Sequence, residues 1–135
     1  MSLAIIRAAF EKKLALMTPA LSTAYENVPF SSISGVPYQR VYMMPATPDN
    51  RIMGGFQYCE QGLYQISLCY ALNSGPSAAE TRAQALRLFF KRGTSMTEAG
   101  LIVNIINTPR VSVAQIDVDR YVIPVYIPWQ CYVQT

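Results

Sequence analysis

The sequence predicts an α+β domain of two layers, in which two amphipathic helices pack on one face of a mostly antiparallel β-sheet. Two stretches repeat apolar residues every three or four positions, as helices do, and several others alternate apolar and polar residues, as strands do. Hydrophobic residues make up 51% of the 135-residue chain, which is enough to build a core. We therefore expect residues 1–135 to form a single domain.

The first helix is predicted from Ser2 to about Met17. Ser2 is a suitable N-cap, and Thr18-Pro19 should end the helix because the residue before a proline avoids helical backbone angles. From there to Pro37 the chain is expected to be irregular. The apolar stripe of the helix consists of Leu3, Ile6, Phe10, Leu14 and Met17.

The middle of the chain predicts two strands and a long loop between them. Residues 38–44 are typical of a strand, and the proline-rich stretch after them ends it. Residues 45–57 are therefore predicted to form a long, exposed hairpin loop, and loops of this length tend to be functional. The clearest strand is 63–72, which alternates with a period of two. Its apolar positions are Tyr64, Ile66, Leu68, Tyr70 and Leu72.

A second helix is predicted from Ser77 to about Lys91. Ser77 and Glu80 form a capping-box pattern, in which the Ser77 hydroxyl oxygen accepts the Glu80 backbone N–H. Gly93 is the predicted C-cap, since glycine adopts a positive φ at little cost. The residues expected to face the core are Ala79, Ala83, Leu86 and Phe90, with Phe89 beside them.

Three further β-segments are predicted at 101–107, 110–118 and 121–133. In the last of them Pro124 and Pro128 share one parity, so both missing N–H groups lie along the same side of the strand. Because a central strand needs those donors on a paired side, we predict an edge strand, or a strand that pairs on one side only.

Residues suited to catalysis or metal binding are scarce. The sequence has no histidine, which excludes Ser-His and Cys-His nucleophilic catalysis and most zinc or iron sites. Cys59, Cys69 and Cys131 lack C-x-x-C spacing and are expected to be reduced thiols. Asp117 and Asp119 share a strand parity and could converge on Mg²⁺, although aspartates between two strands are more typical of a turn. We predict no catalytic residue, no cofactor and no metal site.

The composition favours contacts with other proteins. Only 14% of the residues are charged, the net charge is +3, and there are nine tyrosines. Aromatic residues are enriched at protein interfaces, and lysine and glutamate are depleted there. The apolar runs are too short to span a membrane, and the N-terminus lacks a signal peptide, so a cytosolic protein is expected.

Tyrosines near Arg40 could instead form a stacking platform for single-stranded nucleic acid. Tyrosines on strands are more often half-buried packing residues, so packing is the favoured interpretation. The tyrosines concerned are Tyr42, Tyr58, Tyr64 and Tyr70.

Several stretches resemble the phage tail terminator proteins, including small siphophage proteins often left as a domain of unknown function. Residues 62–68 (GLYQISL), then Asn73-Ser74-Gly75 and a helix ending in Leu88-Phe89-Phe90, resemble the middle of that family. Residues 121–129 (YVIPVYIPW) resemble its closing strand. The N-terminal helix, the proline-rich loop and the 38–44 strand complete a resemblance that spans nearly the whole chain.

The resemblance implies a structural protein that caps a phage or prophage tail tube as a hexameric ring, ends tube polymerisation and offers a surface for head joining. The implied partners are further copies of the chain, the tail tube protein and a head-completion protein. The implied locations are the host bacterial cytoplasm during assembly and the virion tail.

A closed ring requires two different adhesive sides on each subunit, and strand edges and long loops suit that role. The candidates for a subunit or tube interface are Arg51, Ile52, Met53, Pro124 and Pro128. Simple mobility is the other interpretation of the 45–57 loop.

Two other functions stay open at this point. A head-completion or neck adaptor also forms rings from small subunits, although the strand-rich second half favours a terminator. A small nucleic-acid-binding module is the alternative of a different class, and its binding would weaken strongly with salt.

Overall fold

A computed structural model describes residues 2–18, 20–31, 35–50, 54–55, 57–73, 75–117 and 119–134. These residues form two helices and one eight-stranded, curled, mixed sheet, which confirms the α+β prediction. The elements in chain order are α1 (Ser2–Ala15), β1 (Ser22–Ala24), β2 (Tyr38–Pro45), β3 (Gln57–Ala71), α2 (Ser77–Phe89), β4 (Ser95–Glu98), β5 (Leu101–Ile105), β6 (Arg110–Val111), β7 (Gln115–Asp117) and β8 (Arg120–Gln134).

The sheet is organised around β3 and β8, two long antiparallel strands of 15 residues each. They pair along their whole lengths, from Gln57 opposite Gln134 to Ala71 opposite Arg120. The order of strands is β1-β2-β3-β8-β5-β4, with β6 and β7 also paired to β8. All of these pairs are antiparallel except β1 with β2, so the prediction of a mostly antiparallel sheet is confirmed.

β8 is a central strand, and the prediction of an edge strand is wrong. One side of β8 pairs with β3 throughout, and the other side pairs with three short strands. These contact separate segments of β8: β5 contacts 129–131, β6 contacts 125–126 and β7 contacts 120–122.

The two prolines of β8 explain why three short strands, rather than one long strand, pair with its second side. The Pro124 and Pro128 carbonyl oxygens accept hydrogen bonds from the backbone N–H groups of Ser112 and Ile106, at 2.9 and 3.2 Å. Since the N–H and C=O of a strand residue point to the same side, both missing donors face the short strands. Both prolines fall in the gaps between the paired segments. The shared parity of the prolines is therefore confirmed, and the edge-strand prediction is wrong because short strands pair with β8 before and after each proline.

The connections around β8 also differ from the prediction. Residues 110–118 are not one strand, because 112–114 separate β6 from β7. The strand β4 was not predicted; it forms a hairpin with β5 through Ala99 and Gly100, whose φ angles are 49° and 86°. Two positive φ values are typical of a tight hairpin turn, but Ala-Gly is a weaker sequence signal than Asn-Gly. The short β1 likewise lies in the stretch expected to be irregular.

The predicted caps of α2 are wrong at both ends. Ser77 is already helical, and the Glu80 N–H donates to the backbone oxygen of Pro76 at 2.9 Å rather than to a side chain. The C-cap is Phe90, which leaves the helix with φ −109° and turns its ring into the core. Gly93 lies in the following turn, where its N–H donates to the Ile105 oxygen at 2.9 Å. The predicted N-cap role of the Ser2 side chain lies outside the described part of the structure.

Both helices pack on the same face of the sheet, as predicted. The Phe10 ring of α1 stacks on Tyr64 of β3 at 4.4 Å and contacts Phe90, at the end of α2, at 5.9 Å. It also meets Trp129 of β8 edge-on at 6.5 Å, and all four side chains are buried. Gly62 lies opposite Trp129, and a Cβ there would be 2.4 Å from the Met44 backbone oxygen. This close approach requires a glycine.

An ion pair ties the helical layer to the outer part of the sheet. The Glu26 carboxylate accepts hydrogen bonds from the Arg7 guanidinium of α1, at 2.8 Å, and from the backbone N–H of Met43 in β2. Desolvation raises the pKa of Glu26, but the hydrogen bonds from Arg7 and Met43 and the charge of Arg7 outweigh it and lower this pKa below its ordinary value. The charged form of Glu26 therefore stabilises the folded state.

Candidate functional site

The face of the sheet opposite the helices presents four successive rows of side chains across β2, β3 and β8. Strand register defines each row, because directly opposite residues point to the same face. The rows are Tyr38–Cys69–Val122, Arg40–Ser67–Pro124, Tyr42–Gln65–Tyr126 and Met44–Leu63–Pro128.

The first two rows are covered by other parts of the chain. Phe30 packs on the Tyr38 ring at 5.1 Å, and the Arg120 guanidinium lies 5.0 Å from the centre of the same ring. Arg120 also donates to the Val36 backbone oxygen at 2.7 Å, which fixes the segment before β2 over this end of the face. Desolvation and the neighbouring Cys69 thiol raise the pKa of Tyr38, so its hydroxyl stays neutral.

A second contact crosses the covered rows. The Arg40 guanidinium of β2 donates to the Asp117 carboxylate of β7 at 3.2 Å. Ser67, between them in the second row, is 3% exposed, and its neighbour Pro124 is buried. Little of this end of the face is therefore accessible to a partner.

The last two rows are accessible, and we call them the open face. Tyr42 and Met44 of β2 are 36% and 41% exposed. Arg110 lies at the margin with its guanidinium 4.7 Å from the Tyr126 ring centre. The open face consists of Tyr42, Met44, Leu63, Gln65, Tyr126 and Pro128, none of which is charged.

The open face contains one of the predicted interface residues. Pro128 is half-buried in its last row, whereas Pro124 is buried in the second row and cannot contact a partner directly. Arg51, Ile52 and Met53 lie outside the described residues. The structure therefore separates the two prolines that the sequence analysis grouped together.

The described part of the 45–57 loop begins beside the open face. It leaves β2 after Pro45, and Ala46 donates its N–H to the Gln61 oxygen at 2.8 Å. Asp49 and Cys59 exchange two backbone hydrogen bonds, of 2.9 and 2.8 Å. The connection joins two antiparallel neighbours, which confirms the hairpin, and its first residues follow β3 closely.

The structure does not assemble the tyrosine platform considered from the sequence. Tyr42 lies on the open face and Arg40 lies in the covered row next to it, but Tyr64 is buried against Phe10 on the helix-covered face. Tyr58 and Tyr70 share the strand parity of Tyr64. Aromatic side chains on opposite faces cannot stack on one nucleic acid strand.

The candidate cation site is also not assembled. Asp117 is engaged by Arg40, and Asp119 is an exposed turn residue before β8. Within the described ranges, no three His, Cys, Asp or Glu side chains come close enough together to hold a metal ion. Of the helices in those ranges, none has both the length and the apolar character to cross a membrane. The three cysteines are buried thiols rather than halves of a disulfide bond.

Sequence reasoning missed the open face, although its signal was present. Pro124 and Pro128 were placed on one parity of the last strand, but that parity, which includes Tyr126, was not interpreted as a surface. An aromatic residue at a strand position that faces away from the core is a sign of a second contact surface.

Comparison with known proteins assigns the chain to a family. The family described as phage tail terminator protein matches residues 5–129. The chain belongs to the phage tail terminator family. A solved structure is similar to it with 28% identity and a TM-score of 0.77, covering 97% of this chain and 96% of that chain. No curated protein matches the sequence.

Membership of the tail terminator family assigns the chain a structural role in tail completion and places it in the virion tail. It also implies contacts with other virion proteins, and it argues against catalysis. The resemblance found in the sequence is thereby confirmed.

Proposed function

We propose that this chain, acting as one domain over residues 1–135, caps the end of the phage tail tube as a hexameric ring and thereby ends tube polymerisation. The observation that carries the proposal is the open face. It is an uncharged surface on the side of the sheet opposite the helices, in a tail terminator protein. The same ring would offer its other side for head joining. Assembly would take place in the host cytoplasm, in a phage or a prophage.

The composition of the open face supports contact with protein rather than with solvent or nucleic acid. Two tyrosines and a methionine project from adjacent strands, and aromatic residues and methionine are enriched at protein interfaces. Nucleic-acid surfaces are instead positively charged. Arg40 is turned to Asp117, and Arg110 lies over Tyr126, so the nearby cations already have partners within the chain.

The 45–57 loop extends the proposed tube contact. It leaves the sheet at the last row of the open face, next to Met44. Its first residues run along β3, and we propose that Arg51, Ile52 and Met53, farther along the loop, contact the last ring of the tube together with Pro128. A terminal ring could make this contact once per subunit, because the end of a tube built of rings has the same rotational symmetry.

The direct test is tube assembly with the purified tail tube protein of the same phage. Addition of the chain at substoichiometric amounts should shorten the tubes in proportion to its concentration, and electron microscopy should find one ring at a tube end. Tubes that grow to the same length with and without the chain would contradict the proposal. A control with heat-unfolded chain separates capping from unspecific crowding.

A further inference from the structure

The structure carries two more apolar surfaces, away from the open face, which the capping function does not use. We infer that these two surfaces bind each other between neighbouring copies of the chain. This inference rests on the proposed ring and assigns its subunit contact. One surface is a groove between the helices, and the other is an exposed segment before β8.

The first surface lies where the end of α1 meets α2, and we call it the helix groove. Leu16 is 76% exposed and Leu88 is 64% exposed, which is high for leucines that line one groove. The groove has a volume of about 390 Å³. Its lining residues are Leu16, Met17, Thr18, Ala85, Leu88 and Phe89.

The helix groove is bordered by positive charge. The Lys13 ammonium lies 4.3 Å from the centre of the Phe89 ring. Lys91 and Arg92 directly follow the end of α2 and are exposed. A partner that fills this groove should therefore be apolar at its centre and acidic at its margin.

The second surface has that composition, and we call it the acidic segment. Val113 is 80% exposed and Ile116 is 70% exposed, although both are β-branched residues that normally pack in sheets. Asp117 and Asp119 adjoin them. The Asp117 carboxylate is 55% exposed despite its pair with Arg40, and Asp119 is exposed.

The backbone of the acidic segment suits an added contact. It contains a short non-strand stretch, residues 112–114, between β6 and β7, in which Ser112 still donates its backbone N–H to Pro124 of β8. Val113 lies in this stretch. Exposed apolar side chains at an interrupted strand edge are a recognised site for binding another chain.

The two surfaces are complementary in charge and different in structure. A closed ring is built from heterologous contacts, in which one side of each subunit binds the other side of the next. The acidic segment carries Asp117 and Asp119 beside its exposed apolar side chains. The helix groove has Lys13, Lys91 and Arg92 at its margin. The occupant of the helix groove is therefore the acidic segment of a second copy.

Disulfide trapping tests the contact in the full chain. In the double variant V113C/L88C each copy carries one cysteine on either surface, so oxidation should give a ladder of covalent oligomers. Burial raises the pKa of the Cys131 thiol, and Cys59 and Cys69 are also buried, so the native cysteines should not react. The matched control is V28C/L88C, since Val28 is an exposed valine, 55% accessible, outside both surfaces.

We expect the ladder of V113C/L88C to form at least about tenfold faster than that of the control, because contact raises the effective thiol concentration. Equal rates at the highest soluble concentration would overturn the inference. Rings seen by electron microscopy without faster trapping would overturn it while leaving the proposed function intact. Faster trapping by a chain that fails to shorten tubes would support the contact and contradict capping.

Charge exchange gives a second, independent measurement. K91D and D119K should each weaken self-association about two- to fivefold, the effect of losing an exposed ion pair. The combined variant K91D/D119K should recover most of that loss, because the opposite charges then meet in reversed order. If the combined variant self-associates no more tightly than the single variant with the weaker self-association, the result would count against the contact. Circular dichroism verifies that all three variants are folded.

Discussion

The two faces of the sheet are built from the same three strands, β2, β3 and β8, yet they bury their side chains to different degrees. On the helix-covered face, Tyr64, Ile66 and Leu68 are each 0% exposed. On the opposite face, exposure rises along the strands until Met44 reaches 41%. Successive side chains of a strand point to opposite faces, so one sequence encodes both surfaces.

The difference indicates how such a domain separates folding from assembly. The helix-covered face supplies the free energy of folding through aromatic and aliphatic packing around Phe10. The open face keeps apolar area and tyrosines that are not needed for that core. Substitutions should therefore affect stability on one face and assembly on the other.

The largest expected effect is the loss of the Phe10 ring. Phe10→Ala should lower the free energy of unfolding by about 3–5 kcal/mol, because it leaves a cavity between Tyr64, Phe90 and Trp129. Tyr42→Ala on the open face should cost no more than about 1 kcal/mol. Urea unfolding followed by circular dichroism measures both. Equal losses would contradict the division between the two faces.

An intermediate effect is expected at Gly62 of β3, where the neighbouring strand β2 and the Trp129 ring leave no room for a Cβ atom. Gly62→Ala should destabilise the fold by about 1–3 kcal/mol, because the added methyl group collides with the Met44 backbone and the Trp129 ring. Gln61→Ala, at the adjacent position, should cost less than about 1 kcal/mol. Thermal unfolding compares them, and a neutral Gly62→Ala would mean that β2 can shift at no cost.

A smaller, pH-dependent effect is expected at the ion pair between α1 and β2. Because the folded-state pKa of Glu26 is lowered, its contribution is present above the ordinary value of 4.5 and is lost as pH falls below it. Glu26→Gln should lower the free energy of unfolding by about 1 kcal/mol at pH 7. Between about pH 5 and pH 3, the stability of this variant should fall less steeply than that of the unchanged protein. Urea midpoints at several pH values test this. Parallel curves for the two proteins would rule out Glu26 as a source of the decline.

Much of the fold could be predicted because its signals are local. The alternation of Tyr64, Ile66 and Leu68 specifies a half-buried strand, and the spacing of Ile6 and Phe10 specifies a helix face. The pairing of β8 could not be predicted in the same way. Pro124 and Pro128 exclude a continuous partner on one side, but a sequence does not reveal that three short strands divide that side among them.

The candidate site was less predictable than the fold. The predicted caps of α2 were wrong. The helix begins after Pro76, whose backbone oxygen accepts the Glu80 N–H, and it ends at Phe90, whose ring packs in the core. The open face depends on which residues of β2, β3 and β8 lie opposite one another, and register is a tertiary property. Met44 and Pro128 are 84 positions apart in the numbering (128 minus 44), so no local pattern connects them.

The central claim is that the open face is an assembly surface and not part of the core. Met44→Glu should leave the unfolding midpoint nearly unchanged but abolish the shortening of tubes when the variant is added to polymerising tube protein. The matched control is Leu3→Glu on α1, since Leu3 is 40% exposed and Met44 is 41% exposed. The account predicts normal capping by Leu3→Glu and long tubes with Met44→Glu. Tubes capped equally well by both variants would contradict it.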